Sequence, residues 1–202
     1  MTKGEQTKER IFQVAVREFA EHGYEGARVA RIADVAKVNK ERIYANFGNK
    51  EQLFVEVWRR TYSLIIEEDR SFMSITEDQL DTMGRIILST YMRFHDNHPE
   101  FWKIFAWENL MRGKHNAVIR GLKKPVHAHL ERLYRIGQSR GVFKKNVSFS
   151  TYMFVLIAMT FTYASNKATM SETFGLDFLS PKIEESYVEE CCRLIACKPG
   201  SR

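Results

Sequence analysis

The stretch "VARIADVAKVNKERIYANFGNKEQLF", residues 29–54, decides the fold of the N-terminal part of this chain. Apolar residues recur there at helical spacing, first at Val29, Ile32, Ala33 and Ala36 and then at Ile43 and Phe47. Asn39 is a good N-cap for the helix that carries Ile43 and Phe47, which is the third helix of the chain, and Gly48 ends this helix. Each helix has only about two turns and would be unstable alone, so both must pack against neighbours.

The flanking sequence also has the pattern of helices. A preceding helix is predicted to end at Gly23, and the pairs Asn49/Gln52 and Thr76/Gln79 form capping boxes. These boxes predict a fourth helix to about Ile66 and a fifth from Thr76, and later helix starts are predicted at Pro99, at Pro125, in the 146–148 region and at Ser180. No alternating strand pattern occurs. We predict an all-α protein with an N-terminal three-helix helix-turn-helix domain over 1–50 and a bundle of roughly six helices over 51–202.

The composition is that of a globular protein, with 44% hydrophobic and 28% charged residues among 202. No apolar run reaches the roughly 18 residues that a membrane-spanning helix needs, and the start lacks an apolar signal region. The three cysteines, Cys191, Cys192 and Cys197, lie in one terminal segment, which is typical of a reducing compartment. We therefore expect a cytoplasmic protein with no membrane contact.

The positive charge is concentrated around the short helices. The net charge is +6, and residues 28–50 hold six cations against two acids. With Ile43 pointing inward, Glu41 and Ala45 lie on the opposite face of the third helix, and Arg42 and Tyr44 lie on its flanks. A short helix with such an outer face suits the major groove of double-stranded DNA.

Chemistry gives these side chains separate roles. Arg42 can contact base edges or a phosphate, Lys40 and Lys50 can neutralise phosphates, and the Tyr44 hydroxyl can donate to a phosphate oxygen. Lys50 also lies at the start of the fourth helix, whose N–H groups favour the same anion. Glu41 either accepts from a cytosine amine or complements the dipole of its own helix.

Residues 7–58 resemble the N-terminal domain of the tetracycline-repressor (TetR) family of bacterial regulators. The segment "RIFQVAVREFAEHGYEGARVARIADVAKVNKERIYANFGNKEQLF" has the family's apolar spacing, its helix exit at Phe19, Gly23 and Tyr24, and its helix restart at residues 48–51. The resemblance implies a homodimeric transcriptional regulator on a palindromic operator. The residues expected at the DNA are Arg28, Asn39, Lys40, Glu41, Arg42, Tyr44, Ala45, Asn46 and Lys50.

The chain departs from the family pattern at three places. Ala27 and Arg28 stand where a capping Thr or Ser is frequent, so the cap is lost and Arg28 replaces only the phosphate contact. Lys37 stands where the turn between the helices usually has Gly. Glu41 and Arg42 occupy positions where small residues are frequent, so the DNA sequence that is read differs from that of relatives.

The resemblance also implies a C-terminal domain that dimerises through its last two helices and encloses a pocket for a small-molecule effector of unknown identity. The segment "SFSTYMFVLIAMTFTYAS", residues 148–165, is apolar around most of its circumference, which fits a dimer interface or an ordinary core. Candidate ligand-binding residues come from the aromatic central helices, with core packing as the alternative. They are Tyr91, Phe94, Trp102, Phe105, Asn109, Met111, Tyr134, Phe154 and Phe161.

Residues 112–146 carry ten cations and one acid. This basic segment is a solvated face, a site for an anionic ligand, or an extra attraction to DNA. His115, His127 and His129 lack the spacing of a metal site, so neither a metal nor a cofactor is expected. The cysteines fit either packing or a redox sensor.

The function predicted from the sequence is a ligand-responsive, homodimeric transcriptional regulator, a repressor that a small molecule releases from its operator. The alternatives are a constitutive DNA-binding dimer without an effector and a helical enzyme. The enzyme is disfavoured because the chain shows no nucleophile elbow, phosphate-binding glycine loop or zinc-ligand spacing.

Overall fold

The computed structural model describes residues 2–196. These residues form nine α-helices and three short 3-10 helices, and no strand occurs among them, which confirms the all-α prediction. The α-helices are α1 (Lys3–Gly26), α2 (Val29–Ala36), α3 (Lys40–Phe47), α4 (Lys50–Asp69), α5 (Met83–Asn97), α6 (Pro99–Leu110), α7 (Lys124–Ser139), α8 (Phe149–Phe174) and α9 (Pro181–Ile195). No helix in the described part of the chain is long and apolar enough to span a bilayer.

The packing divides the chain into two compact units. Unit 1 comprises the residues up to Ile65 together with His98–Gly121, and unit 2 comprises Ile66–Asn97 together with the residues from Leu122 onward. Helix α6 therefore belongs to the same unit as the helix-turn-helix segment, although residues 48–98 separate the end of α3 from the start of α6. The functional boundary at residue 50 stays a prediction.

The core of unit 1 explains why two helices of eight residues each are stable. Ile32 of α2 and Ile43 of α3 are fully buried with Phe19 of α1 and Phe54 of α4. The rings of Phe19 and Phe54 meet edge to face at 5.1 Å between centroids. Each such side chain contributes about 1.5–3 kcal/mol when it is buried, so tertiary contacts supply the stability that the short helices lack alone.

The predicted caps of α3 and α4 are present. The Asn39 side chain accepts from the N–H of Arg42 at 2.9 Å, and α3 ends at Gly48 with φ of 82°. Asn49 and Gln52 exchange hydrogen bonds between backbone N–H and side-chain oxygen at 2.9 and 3.1 Å. Sequence patterns of this kind act over three or four residues, which is why they locate helix ends well.

Two predicted helix limits were wrong. The Thr76/Gln79 capping box forms, but it caps a short 3-10 helix at Glu77–Gln79, and α5 begins at Met83. A capping box satisfies the N–H groups of the first turn and does not determine how far the helix continues. Helix α4 extends to Asp69, three residues beyond the predicted end, and the Asp69 carboxylate there pairs with Lys123 at 2.8 Å and accepts from the Tyr91 hydroxyl at 2.9 Å.

Unit 2 is built from α5, α7, α8 and α9. Tyr134 of α7 stacks on Phe143 and packs against Tyr152 of α8, both with centroids 4.7 Å away. Helix α8 is apolar around its circumference, yet Phe154 is 73% exposed in the single chain. Leu194 on α9 is 71% exposed. Unit 2 therefore leaves large apolar side chains on α8 and α9 uncovered.

Candidate nucleic-acid interface

Helix α3 presents one face to the core and the other to solvent. Ile43 is 1% exposed and Phe47 is 9% exposed, which confirms the inward orientation that periodicity predicts. Glu41 and Ala45 are exposed on the opposite side, and Arg42 is exposed on the flank next to them. We call these three residues the outer face of α3. Tyr44 is 45% exposed on one flank of it.

The two asparagines of this segment are engaged within the helix. Asn39 uses its side-chain oxygen as the N-cap acceptor for Arg42 N–H. Asn46 is half-buried and donates its amide N–H to the Arg42 carbonyl at 2.6 Å. Sequence reasoning placed both among the DNA-contacting residues, and the structure gives each an intrahelical bond.

Cations lie at the ends of the helices next to the outer face in sequence. Arg28, Lys37 and Lys40 are exposed at the ends of α2 and α3. Lys50 is half-buried at the start of α4, with its Nζ 4.9 Å from the centroid of the Tyr24 ring and 3.3 Å from the Glu25 carbonyl. A helix start that carries a cation and free N–H groups attracts anions such as phosphate.

The turn between α2 and α3 holds Lys37 in the left-handed conformation, with φ of 54° and ψ of 49°. Its N–H bonds to the carbonyls of Ala33 and Asp34, so Lys37 ends α2 in the manner of a glycine. Arg10 of α1 donates through Nε to the Ala36 carbonyl at 2.9 Å and satisfies another terminal acceptor of α2. Lys37, which stands where the family usually has Gly, therefore adopts the left-handed backbone conformation that a glycine would adopt there.

Glu18 accepts from the N–H of the N-cap residue Arg28, the bond that the glutamate of a capping box makes, and sequence reasoning missed it. This carboxylate of α1 is 7% exposed, accepts from the N–H of Arg28 at 2.8 Å, and accepts from Nε of Arg31 at 2.8 and 2.7 Å. Burial raises its pKa, but the hydrogen bonds from Arg31 and Arg28 outweigh burial, and the pKa lies below its ordinary value. An acid inside an otherwise apolar stripe is the signal that could have revealed it.

A second network supports the start of α4. His115 is buried and pairs through Nδ1 with Glu108 at 2.9 Å, while its backbone N–H donates to the same carboxylate. Lys114 reaches Glu51 in the first turn of α4 at 2.7 Å. The hydrogen bond from Lys114 lowers the pKa of the Glu51 carboxyl. The loop after α6 thus fixes the helix start at which Lys50 lies, and no local pattern predicts this contact.

Comparison with known proteins agrees with this geometry. Residues 11–57 match the model of the bacterial regulatory proteins of the tetR family, and residues 81–195 match the model of the tetracyclin repressor-like C-terminal domain. The chain belongs to the TetR family.

Two relatives are transcriptional repressors by name. The HTH-type transcriptional repressor SCO4008 of Streptomyces coelicolor is 36% identical over 77% of each chain. The HTH-type transcriptional repressor NicS of Pseudomonas putida is 27% identical over 92% of this chain and 89% of its own. The crystal structure of HlyIIR, a hemolysin II transcriptional regulator, superposes with a TM-score of 0.68 at 22% identity over 97% of this chain and all of that one, which shows the shared fold.

The candidate ligand-binding residues of this TetR-family chain are distributed over both units. Unit 1 contains Trp102, Phe105, Asn109 and Met111, and unit 2 contains Tyr91, Phe94, Tyr134, Phe154 and Phe161. In unit 1, Phe105 and Met111 pack against the core, and Asn109 is exposed.

In unit 2, Tyr91 and Phe94 are buried and Phe154 is exposed. Tyr134 lines a cavity of about 200 Å³ together with Phe143, Tyr152 and residues of α9. We call this the Tyr134 cavity. The ligand set stays a prediction, and Tyr134 is the member that this cavity supports.

Half of the cations in the basic segment 112–146 of this TetR-family chain have acidic partners. Lys114 pairs with Glu51, Lys123 with Asp69, Arg132 and Arg140 with Glu77, and Arg135 with Glu131. Such pairing reduces the local charge that the sequence suggests and favours the interpretation as a solvated, salt-bridged surface.

The last two candidate sites are a metal site and the cysteines. Within residues 2–196 no group of three or more His, Cys, Asp or Glu side chains is placed to hold a metal ion. Burial raises the pKa of the Cys191 and Cys192 thiols, which disfavours the reactive thiolate and supports a packing role. Cys197 lies outside the described residues.

Proposed function

We propose that this TetR-family chain is a homodimeric repressor that binds a palindromic operator through α3 and is released from it by a small molecule. The observation that carries the proposal is the exposed outer face of α3, held by buried Ile43 and Phe47, with cations at the ends of α2, α3 and α4. A helix presented in this way fits the major groove, and these cations fit the phosphates on either side. The relatives named as repressors support the same direction of regulation.

The uncovered apolar side chains of α8 and α9 support the dimer. A helix that is apolar all round is normally buried on every side, but α8 exposes Phe154 and α9 exposes Leu194 in the single chain. A second copy would cover both helices in a four-helix interface. Two copies of α3 then contact half-sites about one helical turn of DNA, or roughly 34 Å, apart.

The Tyr134 cavity supports the effector. It is lined mostly by apolar and aromatic side chains, and its volume of about 200 Å³ is smaller than the roughly 300–1,000 Å³ of typical ligand pockets, so only a small ligand fits it. The hydroxyl of Tyr152, one of the lining residues, is buried and has no hydrogen-bond partner within the described residues. A ligand that binds only one spacing of the two α3 helices shifts the population away from the DNA-bound form.

The DNA-binding part is tested with a duplex selected from random sequence by the purified protein. Arg42→Ala combined with Tyr44→Ala removes the two largest exposed groups of α3, and we expect loss of operator binding with unchanged circular dichroism. Arg135→Ala is the matched control, because Arg135 is an exposed α7 cation paired with Glu131. Operator binding as tight as that of the parent would show that α3 is not the contacting element.

The dimer and the effector have separate tests. Phe154→Glu places a charge in the proposed interface, so light scattering should show a monomer, whereas Leu122→Glu, at a 41% exposed site outside α8 and α9, should leave a dimer. A thermal-shift screen of metabolites should find a compound that raises Tm and lowers operator affinity. If no compound in the screen changed Tm, the alternative of a constitutive DNA-binding dimer without an effector would be favoured.

A further inference from the structure

We propose that the outer face of α3 selects a G·C-containing half-site, in which Arg42 contacts a guanine and Glu41 accepts from the amine of a cytosine in a neighbouring base pair. This inference rests on the proposed function, because it requires that α3 enters the major groove. It adds the identity of the bases and assigns one side chain to each.

The first step is that the usual readers of adenine are occupied. Asn recognises adenine by donating from its amide nitrogen and accepting at its amide oxygen at the same time. The Asn39 oxygen is held by the N–H of Arg42 at 2.9 Å, and the Asn46 nitrogen is held by the Arg42 carbonyl at 2.6 Å. The Asn39 oxygen keeps a second lone pair and the Asn46 nitrogen a second N–H, but each bond within α3 holds the amide against the helix backbone and restricts the orientation that pairing with adenine needs.

The second step is that Glu41 and Arg42 have no competing partner. Both side chains are exposed, and across residues 2–196 neither the Glu41 carboxylate nor the Arg42 guanidinium has a hydrogen bond or an ion pair with another side chain. Arg31, by contrast, is bound to Glu18 at 2.7 Å. The two unpaired groups differ by about 100° around the helix and lie beside Ala45, the smallest residue of the face.

The third step is the chemistry of the base edges. The Arg fork matches the O6 and N7 acceptors of guanine and forms the most frequent specific contact in the major groove. A carboxylate has acceptors only, so the O6 and N7 of guanine and the O4 of thymine repel it, and the cytosine amine is its best partner. Glu41 therefore acts as much by rejecting wrong bases as by binding the right one.

The position of Arg42 favours a base over a phosphate. Arg28, Lys37, Lys40 and Lys50 already provide cations at the ends of α2, α3 and α4, where the DNA backbone would run. Arg42 lies on the outer face beside an acid that the phosphates repel. Because the Arg42 guanidinium makes no ion pair with Glu41 within residues 2–196, its fork stays available for guanine, while its charge offsets the repulsion between the Glu41 carboxylate and the phosphates.

The experiment is enrichment of random duplexes by the parent protein, followed by base-analogue substitution in the recovered half-site. Replacing the guanine with 7-deazaguanine removes N7 and should weaken binding between about 5-fold and about 150-fold, the range for one bidentate contact. Inosine keeps O6 and N7 and should bind as guanine does. Arg42→Ala, which has no donor for O6 or N7, should abolish the difference between guanine and 7-deazaguanine.

Protein variants separate the two side chains. Glu41→Gln should shift the preferred base from cytosine to adenine, because Gln reads adenine, and should raise affinity for unrelated duplexes. Arg135→Ala, which changes an exposed α7 cation paired with Glu131 and lies outside α3, should leave the base preference unchanged. Arg28→Ala should lower affinity by the same factor on every sequence, as expected for a phosphate contact.

The outcomes distinguish this inference from the proposed function. Recovery of an operator with only A·T pairs under α3, or an unchanged base preference in Arg42→Ala and Glu41→Gln, overturns the inference and leaves operator binding standing. Failure of the parent to enrich any duplex at low salt overturns the proposed function itself.

Discussion

Removal of the Glu18 carboxylate should destabilise unit 1 measurably. Glu18→Ala deletes the acceptor that caps α2 through the N–H of Arg28 at 2.8 Å. Loss of a capping acceptor costs about 1–2 kcal/mol, and the bond to Arg31, whose side chain is 41% exposed, adds little because water screens it. Glu18→Gln keeps an oxygen acceptor for the same N–H and should lose less.

The pH dependence gives the carboxylate a separate signature. The folded pKa of Glu18 lies below its ordinary value, so its stabilisation is complete above the unfolded pKa of about 4.3 and is lost as pH falls through the folded pKa. The difference in free energy of unfolding between the parent and Glu18→Ala should therefore be largest near pH 7 and should shrink towards pH 3. Glu18→Gln, which does not titrate, should differ from Glu18→Ala by a constant amount.

The tryptophans provide a selective assay. Trp58, Trp102 and Trp107 are the three tryptophans of the chain, and all lie in unit 1. Urea unfolding followed by tryptophan fluorescence at pH 7, 5 and 3 consequently reports on the unit that contains Glu18. Equal midpoints for the parent and Glu18→Ala at pH 7, or a loss as large at pH 3 as at pH 7, would refute the capping role.

Three further predictions concern backbone strain and a buried histidine. Gly23 has φ of 66°, and an added Cβ would lie 2.7 Å from the Trp107 ring. Gly23→Ala should therefore lower the free energy of unfolding, measured in urea, by more than about 2 kcal/mol. A urea midpoint equal to that of the parent would contradict this. Lys37→Gly should stabilise unit 1 by about 0.5–1 kcal/mol, since glycine adopts the left-handed conformation without strain; a lower midpoint would show that the lysine is not strained. Burial lowers the pKa of His95 to about 4. The free energy of unfolding of the parent should therefore fall by roughly 3 kcal/mol more than that of His95→Leu between pH 6.5 and pH 4, as measured by circular dichroism. Parallel pH profiles of the two proteins would exclude a neutral buried imidazole.

Local patterns located the helices because their signals act over one or two turns. Asn39, Gly48 and the Asn49/Gln52 pair could be assigned from neighbours three or four residues away, and the burial of Ile43 and Phe47 followed from the helical period. The same reasoning failed at Thr76, where a real capping box precedes only a short 3-10 turn. Local hydrogen bonds determine how a turn starts, whereas packing against distant residues determines whether it continues.

The amino-acid sequence by itself determined the all-α class, the helix-turn-helix segment and the inward and outward faces of α3, since each depends on periodicity or on a cap within a few residues. Only the tertiary structure decided that Glu18 caps α2, that the 111–115 loop supports α4 through Lys114 and that the candidate ligand residues fall in two units. It also decided which side chains of α3 are already hydrogen-bonded and which are free. These contacts join residues at least ten apart or depend on rotamers, so the physical cause is three-dimensional packing, which no periodic pattern encodes.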